Sequence, residues 1–490
     1  MITRRRFMQK LSVAGAGLWL STPYNIASPQ FGATTEAPLN RSILQNRTRQ
    51  VSIRLLDAKG KPLPHKKVEI KQLKHAFLFG DCNPGMDSMY RQGSATAEKL
   101  KIYRKVFASV FNAVNATCYW TERPRNNMAK TEEFQGEQFL DGFNDTVDWG
   151  LANGLAVKGH PLFWTVPKAI PEWMLKYDYP TQLKFLEVRL RSIVGRYKGR
   201  VTLWDAVNEM LWEPALKNLA NRTWPYTETP DQMAEYIALV LRICREEDPD
   251  ALFLINDYGL ERDHNQVKQL ISNDNDPGAI QKNKLSDQHG NEVTAMRQRQ
   301  RYLELVKRLT DMGYPPAAIG MQGHSGAVSA EEQQALYDQM AKAGLPLHIT
   351  EFWAHEEDFG PEIQKLGNEE KEERIAAYVV QYLKNAFAHP AIDCFFFWGF
   401  MGMATEWKEG NSPSYEERPV LNAVRNLIHK EWHTHEHITT NGDGILTFNA
   451  YYGDYSLRYT LKKENSGVVG LTFKIDKQSG VPLVLKTMIG

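Results

Sequence analysis

Cysteine is scarce in this chain, and charge of either sign is balanced. Its 490 residues include 4 cysteines, and 59 Lys and Arg residues stand against 58 Asp and Glu residues. No Cys-x-x-Cys pair and no cysteine–histidine spacing of a metal site occurs, so neither a disulfide framework nor a zinc module is expected. The balanced charge lacks the basic excess that is typical of nucleic-acid-binding proteins.

Long apolar runs are also missing. The stretch at residues 11–20 is weakly apolar and too short for a permanent membrane span. It follows Thr3-Arg4-Arg5-Arg6-Phe7-Met8, which resembles a twin-arginine export signal. We therefore expect residues 1–33 to be a signal segment and the protein to be periplasmic or secreted, with an ordinary Sec-type signal as the alternative. The twin-arginine route carries folded proteins, which agrees with the lack of a disulfide framework.

Material for a large core is plentiful. Hydrophobic residues make up 42 % of the chain, which permits two or three domains, or one large barrel with a small addition. There are 12 tryptophans, and an indole ring covers the flat C–H face of a sugar well. For any single Trp, however, a place in the core is the simpler interpretation.

Strand-like runs alternate with helical patterns between residues 76 and 435. Such alternation indicates a parallel sheet, and eight repeats predict an α/β fold of the (β/α)8 TIM-barrel type. A polar insertion at residues 260–296 is expected on the active-site face. The candidate strands are Phe77–Gly80, Ala113–Tyr119, Ala156–His160, Leu203–Asn208, Leu252–Asn256, Ile319–Gly323, Leu347–Thr350 and Cys394–Trp398.

Both ends of the chain carry further strand patterns, at residues 45–75 and 436–490. Neither end alone has enough strands for a closed sandwich. Together they predict one accessory β-sandwich-like domain with the barrel, residues 76–435, inserted into it; two unrelated β-appendages are the alternative. The candidate strands are Val51–Leu56, Lys67–Lys71, Ile445–Tyr451, Tyr455–Leu461, Val468–Ile475 and Pro482–Met488.

Two of the apolar runs end on a glutamate. Leu203 to Asn208 is followed by Glu209, and Leu347 to Thr350 is followed by Glu351. A parallel barrel gathers its chemistry at the carboxyl ends of its strands. Two carboxylates at that edge can flank one glycosidic bond, one as acid and the other as nucleophile.

Several motifs, in order along the barrel, resemble glycoside hydrolase family 10, the endo-β-1,4-xylanases. The strands before the barrel and the Gly453-Asp454-Tyr455 segment after it are similar to the branch of this family with extra β-strands. The motifs are Lys158-Gly159-His160-Pro161-Leu162-Phe163-Trp164, Trp204 to Glu209, Ile255-Asn256-Asp257-Tyr258, Gly320-Met321-Gln322-Gly323-His324, His348-Ile349-Thr350-Glu351 and Phe397-Trp398-Gly399.

The resemblance implies that Glu209 is the general acid/base and Glu351 the nucleophile. It further implies that Asn208 contacts the sugar 2-hydroxyl and that His324 hydrogen-bonds the nucleophile. The other implied residues are His160 and Trp164 on the glycone side, Gln322, Trp398 and Trp407 around the reacting sugar, Asp205 as internal support, and Asn256, Asp257 and Tyr258 at the rim.

The chain departs from the family pattern at three places. Asn115 corresponds to a glycone-side asparagine, but Cys118 or Tyr119 occupies the position of the usual lysine. Thr165 replaces a histidine, and Trp353 replaces the aspartate that normally partners the histidine corresponding to His324. These changes bear on the distal glycone subsites and on the charge state of His324.

The sequence thus predicts a retaining glycoside hydrolase that cleaves β-1,4-xylosidic bonds in xylan or xylo-oligosaccharides. The alternatives are a hydrolase of another β-linked glycan on the same barrel and a non-catalytic carbohydrate-binding protein. No metal or cofactor is required by this chemistry. The expected partner is a polysaccharide or oligosaccharide, with no nucleic acid and no permanent membrane span, and the expected state is a monomer.

Overall fold

The computed structural model describes most of the chain. The predicted signal segment and most of the predicted insertion, residues 263–293, lie outside the described residues. Described are residues 36–82, 94–120, 132–134, 137–165, 169–211, 230–262, 294–324, 327–408, 414–460, 468–479 and 483–486.

Eight parallel strands form a closed barrel, which confirms the predicted fold class. Two strands precede the barrel in the chain, β1 (Thr48–Leu56) and β2 (Lys67–His75). The barrel strands are β3 (Leu78–Cys82), β4 (Ala113–Thr117), β5 (Ala156–His160), β6 (Leu203–Asn208), β7 (Leu252–Asp257), β8 (Ile319–Met321), β9 (Leu347–Phe352) and β10 (Ile392–Trp398). They pair in chain order from β3 to β6 and from β7 to β10; the β10–β3 and β6–β7 pairings close the ring. Each observed strand end lies within two residues of the predicted one.

Helices follow the strands on the outside of the barrel. Every residue of β6 and of β9 is buried, because one face of each strand lines the barrel interior and the other packs under helices. The helices are Glu36–Arg47, Ser94–Ala108, Asp141–Ala152, Tyr179–Arg196, Pro230–Glu247, Ala295–Asp311, Ala330–Met340, Asn368–Ala388, Phe400–Ala404 and Pro419–Asn426. In the described part of the chain, no helix combines the length and apolar character needed to cross a membrane.

Strands from both ends of the chain build two sheets around one apolar core. The C-terminal strands are β11 (His435–Thr439), β12 (Ile445–Tyr451), β13 (Gly453–Thr460), β14 (Val468–Ile475) and β15 (Leu483–Lys486). One sheet has the order β12-β1-β15 and the other β11-β2-β13-β14. Side chains of both sheets, among them Ile53, Ile70 and Leu457, share one buried cluster. Among the described residues, the sandwich therefore holds seven strands; β11 is the one that the sequence did not indicate.

Arg47, at the end of the first described helix, ties the two parts together. Its guanidinium donates hydrogen bonds to the carbonyl oxygens of Phe387 (2.5 Å), His389 (2.6 Å) and Ile392 (2.5 Å), where the chain enters β10. The same group lies 4.9 Å from the ring centroid of Phe77. The N-terminal segment thereby anchors directly to the barrel.

Candidate active site

Glu209 follows the last residue of β6 in a left-handed backbone conformation, with φ +61°. A non-glycine residue in this region costs roughly 1–3 kcal/mol, so its neighbours must hold it there. Its backbone N–H donates to the carbonyl of Asn256 (2.8 Å), and the Thr165 hydroxyl donates to its carbonyl (3.1 Å). These bonds from two flanking segments fix the direction of the Glu209 side chain.

The Glu209 carboxylate is half-buried and accepts two hydrogen bonds from neutral donors. Trp164 Nε1 donates to Oε2 at 2.6 Å, and Gln322 Nε2 donates to Oε1 at 3.1 Å. The donors come from the segment after β5 and the segment after β8. The carboxylate is therefore oriented by both sides of the barrel mouth.

Glu351 lies near the end of β9 and is almost fully buried, with 4 % of its surface exposed. Asn256 Nδ2 donates to its Oε1 at 2.8 Å, and His324 Nε2 lies 3.1 Å from its Oε2. Thr350 donates its hydroxyl to Asn256 Oδ1 at 2.6 Å, which turns the Asn256 amide nitrogen towards the carboxylate. Each oxygen of Glu351 thus has its own donor.

Asn208 lies between the two carboxylates. Its Oδ1 accepts from Asn256 Nδ2 (2.8 Å) and from Gln322 Nε2 (3.3 Å). Since these two amides also bond Glu351 and Glu209, one continuous network connects both carboxylates through Asn208. Because the side-chain oxygen of Asn208 accepts these two bonds, its amide N–H group is the part that can donate to a sugar hydroxyl.

Beneath this network, Asp205 holds the side chains of Lys158 and His160 inside the barrel. Its Oδ2 lies 2.5 Å from Lys158 Nζ and accepts from His160 Nδ1 at 2.6 Å, and all three side chains are buried. Burial alone raises the pKa of Asp205, but Lys158 and His160 outweigh it, so the pKa lies below its ordinary value. The other imidazole nitrogen of His160 lies 3.8 Å from Glu351 Oε1. Asp205 therefore fixes the His160 ring against the second carboxylate.

The residues at the carboxyl end of β7 lie deeper than the rim position suggested by the sequence. Asn256 and Asp257 are fully buried, and Tyr258 is 5 % exposed. Asp257 accepts from the backbone N–H groups of Leu211 (2.7 Å) and Tyr258 (2.9 Å). Burial, together with the charge of Glu209, raises the pKa of Asp257 well above its ordinary value. Asp257 supports the loop that carries Glu209, and Asn256 belongs to the centre of the site.

Aromatic rings surround the same edge of the barrel. Tyr119 is buried, with its ring centroid 5.4 Å from Trp164 and 5.9 Å from His160. Trp398 lies 5.4 Å from His160. Trp407 lies on a short hairpin. Its ring centroid is 5.5 Å from that of Tyr415 and 5.3 Å from the Lys99 ammonium, so these neighbours are not the residues that bond the two carboxylates.

Two of the three places at which the chain departs from the family pattern have direct structural consequences, one at Trp353 and one around β4, where Asn115 itself is retained. Trp353 lies against His324, with ring centroids 4.3 Å apart, and His324 Nδ1 has no hydrogen-bond partner among the described residues. Asn115 is buried on β4, and in the same part of the structure neither polar atom of its side chain is hydrogen-bonded. The third departure, Thr165, supports the backbone of Glu209 as described above.

Sequence patterns did not indicate the roles of Thr350 and Lys158. Thr350 directly precedes Glu351, and its alternation in the strand already places it inside the barrel beside Asn256. Lys158 begins the motif Lys158 to Trp164. Its position two residues before His160 puts both side chains on the interior face of β5. The periodicity of the strands could therefore have identified both.

The sequence model of glycosyl hydrolase family 10 matches residues 91–276 and 282–427. The anti-sigma-I factor RsgI6 of Acetivibrio thermocellus is 24 % identical over 95 % of this chain and 52 % of its own length. Endo-1,4-beta-xylanase 3 of Arabidopsis thaliana is 24 % identical over 72 % of this chain and 40 % of its own length. The chain thus spans about half or less of the length of these curated relatives.

Among solved structures, native xylanase 10B from Thermotoga maritima aligns over 73 % of this chain and 96 % of its own, with 19 % identity and a TM-score of 0.48. A psychrophilic family 10 endo-beta-1,4-xylanase aligns over 71 % of this chain with 23 % identity and a TM-score of 0.47. The match to the family model covers the motifs and both glutamates described above. The chain belongs to glycosyl hydrolase family 10.

Proposed function

We propose that this chain is a retaining hydrolase of β-1,4-linked xylan or xylo-oligosaccharides, with Glu351 as nucleophile and Glu209 as acid/base. The observation that carries the proposal is the hydrogen-bond network in which Gln322, Asn208 and Asn256 connect the two carboxylates. Such a network keeps both groups oriented at one edge of the barrel, where a single glycosidic bond can reach them.

In the first step, Glu351 attacks the anomeric carbon while Glu209 gives its proton to the leaving glycosidic oxygen. The bond from the anomeric carbon to that oxygen breaks, and a bond to a Glu351 oxygen forms. Asn256 and His324 each lie within hydrogen-bond distance of one Glu351 oxygen, which holds the orientation of the carboxylate. The negative charge on Glu351 in turn helps Glu209 to keep its proton until the bond breaks.

In the second step, Glu209 takes a proton from water, and the water oxygen displaces Glu351 from the anomeric carbon. Esterification has removed the charge of Glu351, so Glu209 is then more easily ionised and suited to act as base. Trp164 and Gln322 both donate to Glu209, which fits its ionised form in this step. The sugar leaves with the anomeric configuration that it had in the substrate.

Xylan as substrate is supported by the family and by the relatives named as endo-1,4-beta-xylanases. Of the altered residues on the glycone side, Tyr119 packs against Trp164 and His160, and Thr165 bonds the backbone carbonyl of Glu209. We therefore expect them to affect which chain lengths and decorations are accepted, and not the type of reaction.

The test is product release from glucuronoxylan, arabinoxylan, mixed-linkage β-glucan and short xylo-oligosaccharides. Wild type, Glu351→Ala and Glu209→Ala are compared with Glu304→Ala, a matched removal of an exposed carboxylate on an outer helix. We expect xylan products from wild type and Glu304→Ala only. The anomer released first, observed by NMR, should be the β-anomer if the reaction is retaining.

Azide separates the roles of the two glutamates. With an activated aryl β-xyloside, azide can enter the space left in Glu351→Ala and attack the anomeric carbon to give the α-glycosyl azide. In Glu209→Ala, azide can replace water in the second step and give the β-glycosyl azide. Full activity of Glu351→Ala would refute the mechanism. Higher turnover on β-glucan than on any xylan would instead select the other β-glycan, and binding without products would select a carbohydrate-binding protein.

Export is part of the proposal. The pattern Thr3-Arg4-Arg5-Arg6-Phe7-Met8 supports a twin-arginine route to the periplasm or the exterior. Replacing Arg4 and Arg5 by lysine should retain the full-length protein in the cytoplasmic fraction, whereas unchanged export would reject this route.

A further inference from the structure

Two histidines and a glutamate converge on the outer face of the accessory sandwich, far along the chain from the catalytic motifs. Strands β2 and β11 are antiparallel neighbours, and their register places His437 directly opposite Glu69 and His435 opposite Lys71. Because alternate residues of a strand point to the same side, His435 and His437 share the solvent face with Glu69. All three side chains are at least partly exposed.

The three side chains are close enough together to bind one metal ion after small movements. His435 Nε2 lies 3.0 Å from Glu69 Oε1, and the two imidazole centroids are 5.2 Å apart. One ligand atom from each of the three residues lies within 4.8 Å of the others. The ligand atoms around a tetrahedral Zn²⁺ are about 3.4 Å apart, given bonds of about 2.0–2.1 Å. Small side-chain rotations are enough to reach that geometry.

The donor set selects a class of ion. Two imidazole nitrogens and one carboxylate oxygen suit Zn²⁺, Cu²⁺ or Ni²⁺, whereas Ca²⁺ and Mg²⁺ prefer oxygen ligands alone. Water completes the coordination of a three-ligand site of this kind.

Two cations oppose binding and set its strength. Lys71 lies opposite His435, and Arg458 on β13 lies opposite Glu69 on its other side. Their positive charges repel a divalent ion, so we expect moderate affinity and not the tight binding of an enclosed structural site. Among the residues that the structure describes, only Glu69, His435 and His437 bring three metal-ligating side chains this close together.

We propose that Glu69, His435 and His437 form a binding site for one divalent cation of the Zn²⁺ class, which clips strand β2 to strand β11. Glu69 and His435 are 366 residues apart in the chain, with the whole barrel between them. A bound ion therefore cross-links the two chain ends that build the sandwich, and it stabilises the folded state in proportion to its occupancy. This site is independent of the proposed catalytic function.

The test is calorimetric titration of tag-free, EDTA-treated protein with Zn²⁺, and with Ca²⁺ as the oxygen-preferring comparison. The variants are His437→Gln and Glu69→Gln, with Glu436→Gln as matched control, because strand alternation points Glu436 to the opposite face. We expect one Zn²⁺ per chain, no Ca²⁺ binding, and at least about tenfold weaker Zn²⁺ binding in the first two variants. Glu436→Gln should bind as wild type does.

Arg458→Gln provides a test in the opposite direction, because removal of the repelling charge should tighten Zn²⁺ binding. Zn²⁺ should also raise the Tm of wild type but not that of His437→Gln. The proposal is overturned if wild type shows no saturable binding at millimolar Zn²⁺. It is equally overturned if binding persists unchanged in both His437→Gln and Glu69→Gln, since the ion then sits elsewhere.

Discussion

His324 lies between the Glu351 carboxylate and the indole ring of Trp353. Its Nε2 is 3.1 Å from Glu351 Oε2, and its ring centroid is 4.3 Å from that of Trp353. The family resemblance places an aspartate at position 353, where it would favour the imidazolium form of the histidine. In this chain position 353 is Trp353, which carries no charge and therefore does not stabilise a positive charge on His324.

Trp353→Asp should move the acidic limb of the pH profile. A carboxylate beside His324 would stabilise a positive charge on the imidazole, and that charge, 3.1 Å from Glu351 Oε2, would stabilise the ionised carboxylate over the protonated one. Because Glu351 must be ionised to attack, the acidic limb of kcat/KM shifts to lower pH. The profile of xylo-oligosaccharide hydrolysis between pH 3 and pH 8 measures this shift.

Trp353→Asn is the matched control, since it removes the same ring but adds no charge. It should leave the acidic limb where wild type has it, whatever it does to the absolute rate. Identical profiles for the Asp and Asn variants would show that His324 does not transmit charge to Glu351.

Trp164→Phe should change the basic limb of the pH profile of kcat/KM. The variant keeps an aromatic ring beside Tyr119 but loses the indole N–H that donates to Glu209 Oε2. The indole N–H stabilises the ionised carboxylate of Glu209, so its loss favours the protonated form and moves the basic limb to higher pH. General acid–base catalysis contributes roughly 10²–10⁴-fold, and we expect a loss of kcat/KM within the lower part of that range.

A substrate with an activated leaving group distinguishes this effect from a change in binding. Such a group leaves without protonation, so the loss in kcat/KM for glycosylation should shrink with an aryl β-xylobioside of a strongly acidic phenol. An equal loss on activated and natural substrates would indicate that Trp164 acts through sugar binding alone.

The barrel could be predicted closely because its strands are buried on both faces. Runs such as Leu203–Asn208 and Leu347–Phe352 are buried throughout and mainly apolar, apart from Asp205 and His348 in the barrel interior and the polar residues of the site at their carboxyl ends. The change from apolar to polar marks the active edge in the sequence itself. The positions of Glu209 and Glu351 at that edge therefore followed from local pattern.

The arrangement around those carboxylates depends on contacts between strands, which local pattern does not contain. Asn256 was placed at the rim, yet it bonds both Asn208 and Glu351, because the parallel register brings Asn256 of β7 beside Asn208 of β6. The His435-x-His437 pair was overlooked for a similar reason. Its third partner, Glu69, comes from the other end of the chain and joins it only through the β2–β11 pairing.

Arg47→Met should destabilise the fold without changing the site chemistry. The guanidinium satisfies three buried carbonyl groups between the end of the helix Asn368–Ala388 and the start of β10, and methionine can fill the space but cannot donate. A buried group left without its charged partner costs roughly 1–3 kcal/mol, so the free energy of unfolding should fall by about 3 kcal/mol or more. Urea unfolding measures it, with the exposed Arg41→Met as control; equal stability of the two variants would contradict the anchoring role.

Asp205→Asn should be among the most destabilising changes in the barrel, because it leaves Lys158 buried without a counter-charge. Lys158 is 1 % exposed, and loss of one partner of a buried ion pair costs roughly 3–5 kcal/mol. The matched control is the double variant Lys158→Met/Asp205→Asn, which removes the stranded charge as well. It should recover part of the free energy of unfolding that the single variant loses.

The ion pair of Asp205 and Lys158 also predicts how the stability lost in Asp205→Asn depends on pH. The folded-state pKa of Asp205 lies below its ordinary value of 3.8, so its contribution to stability is present above that value. The contribution disappears as the pH falls through the lower folded-state pKa, because Asp205 is then protonated in wild type too. Urea unfolding at neutral pH and at successively lower pH should therefore show the gap between wild type and Asp205→Asn narrowing below about pH 4. A gap that stays constant over this range would mean that the lost contact, and not the charge of Asp205, causes the instability.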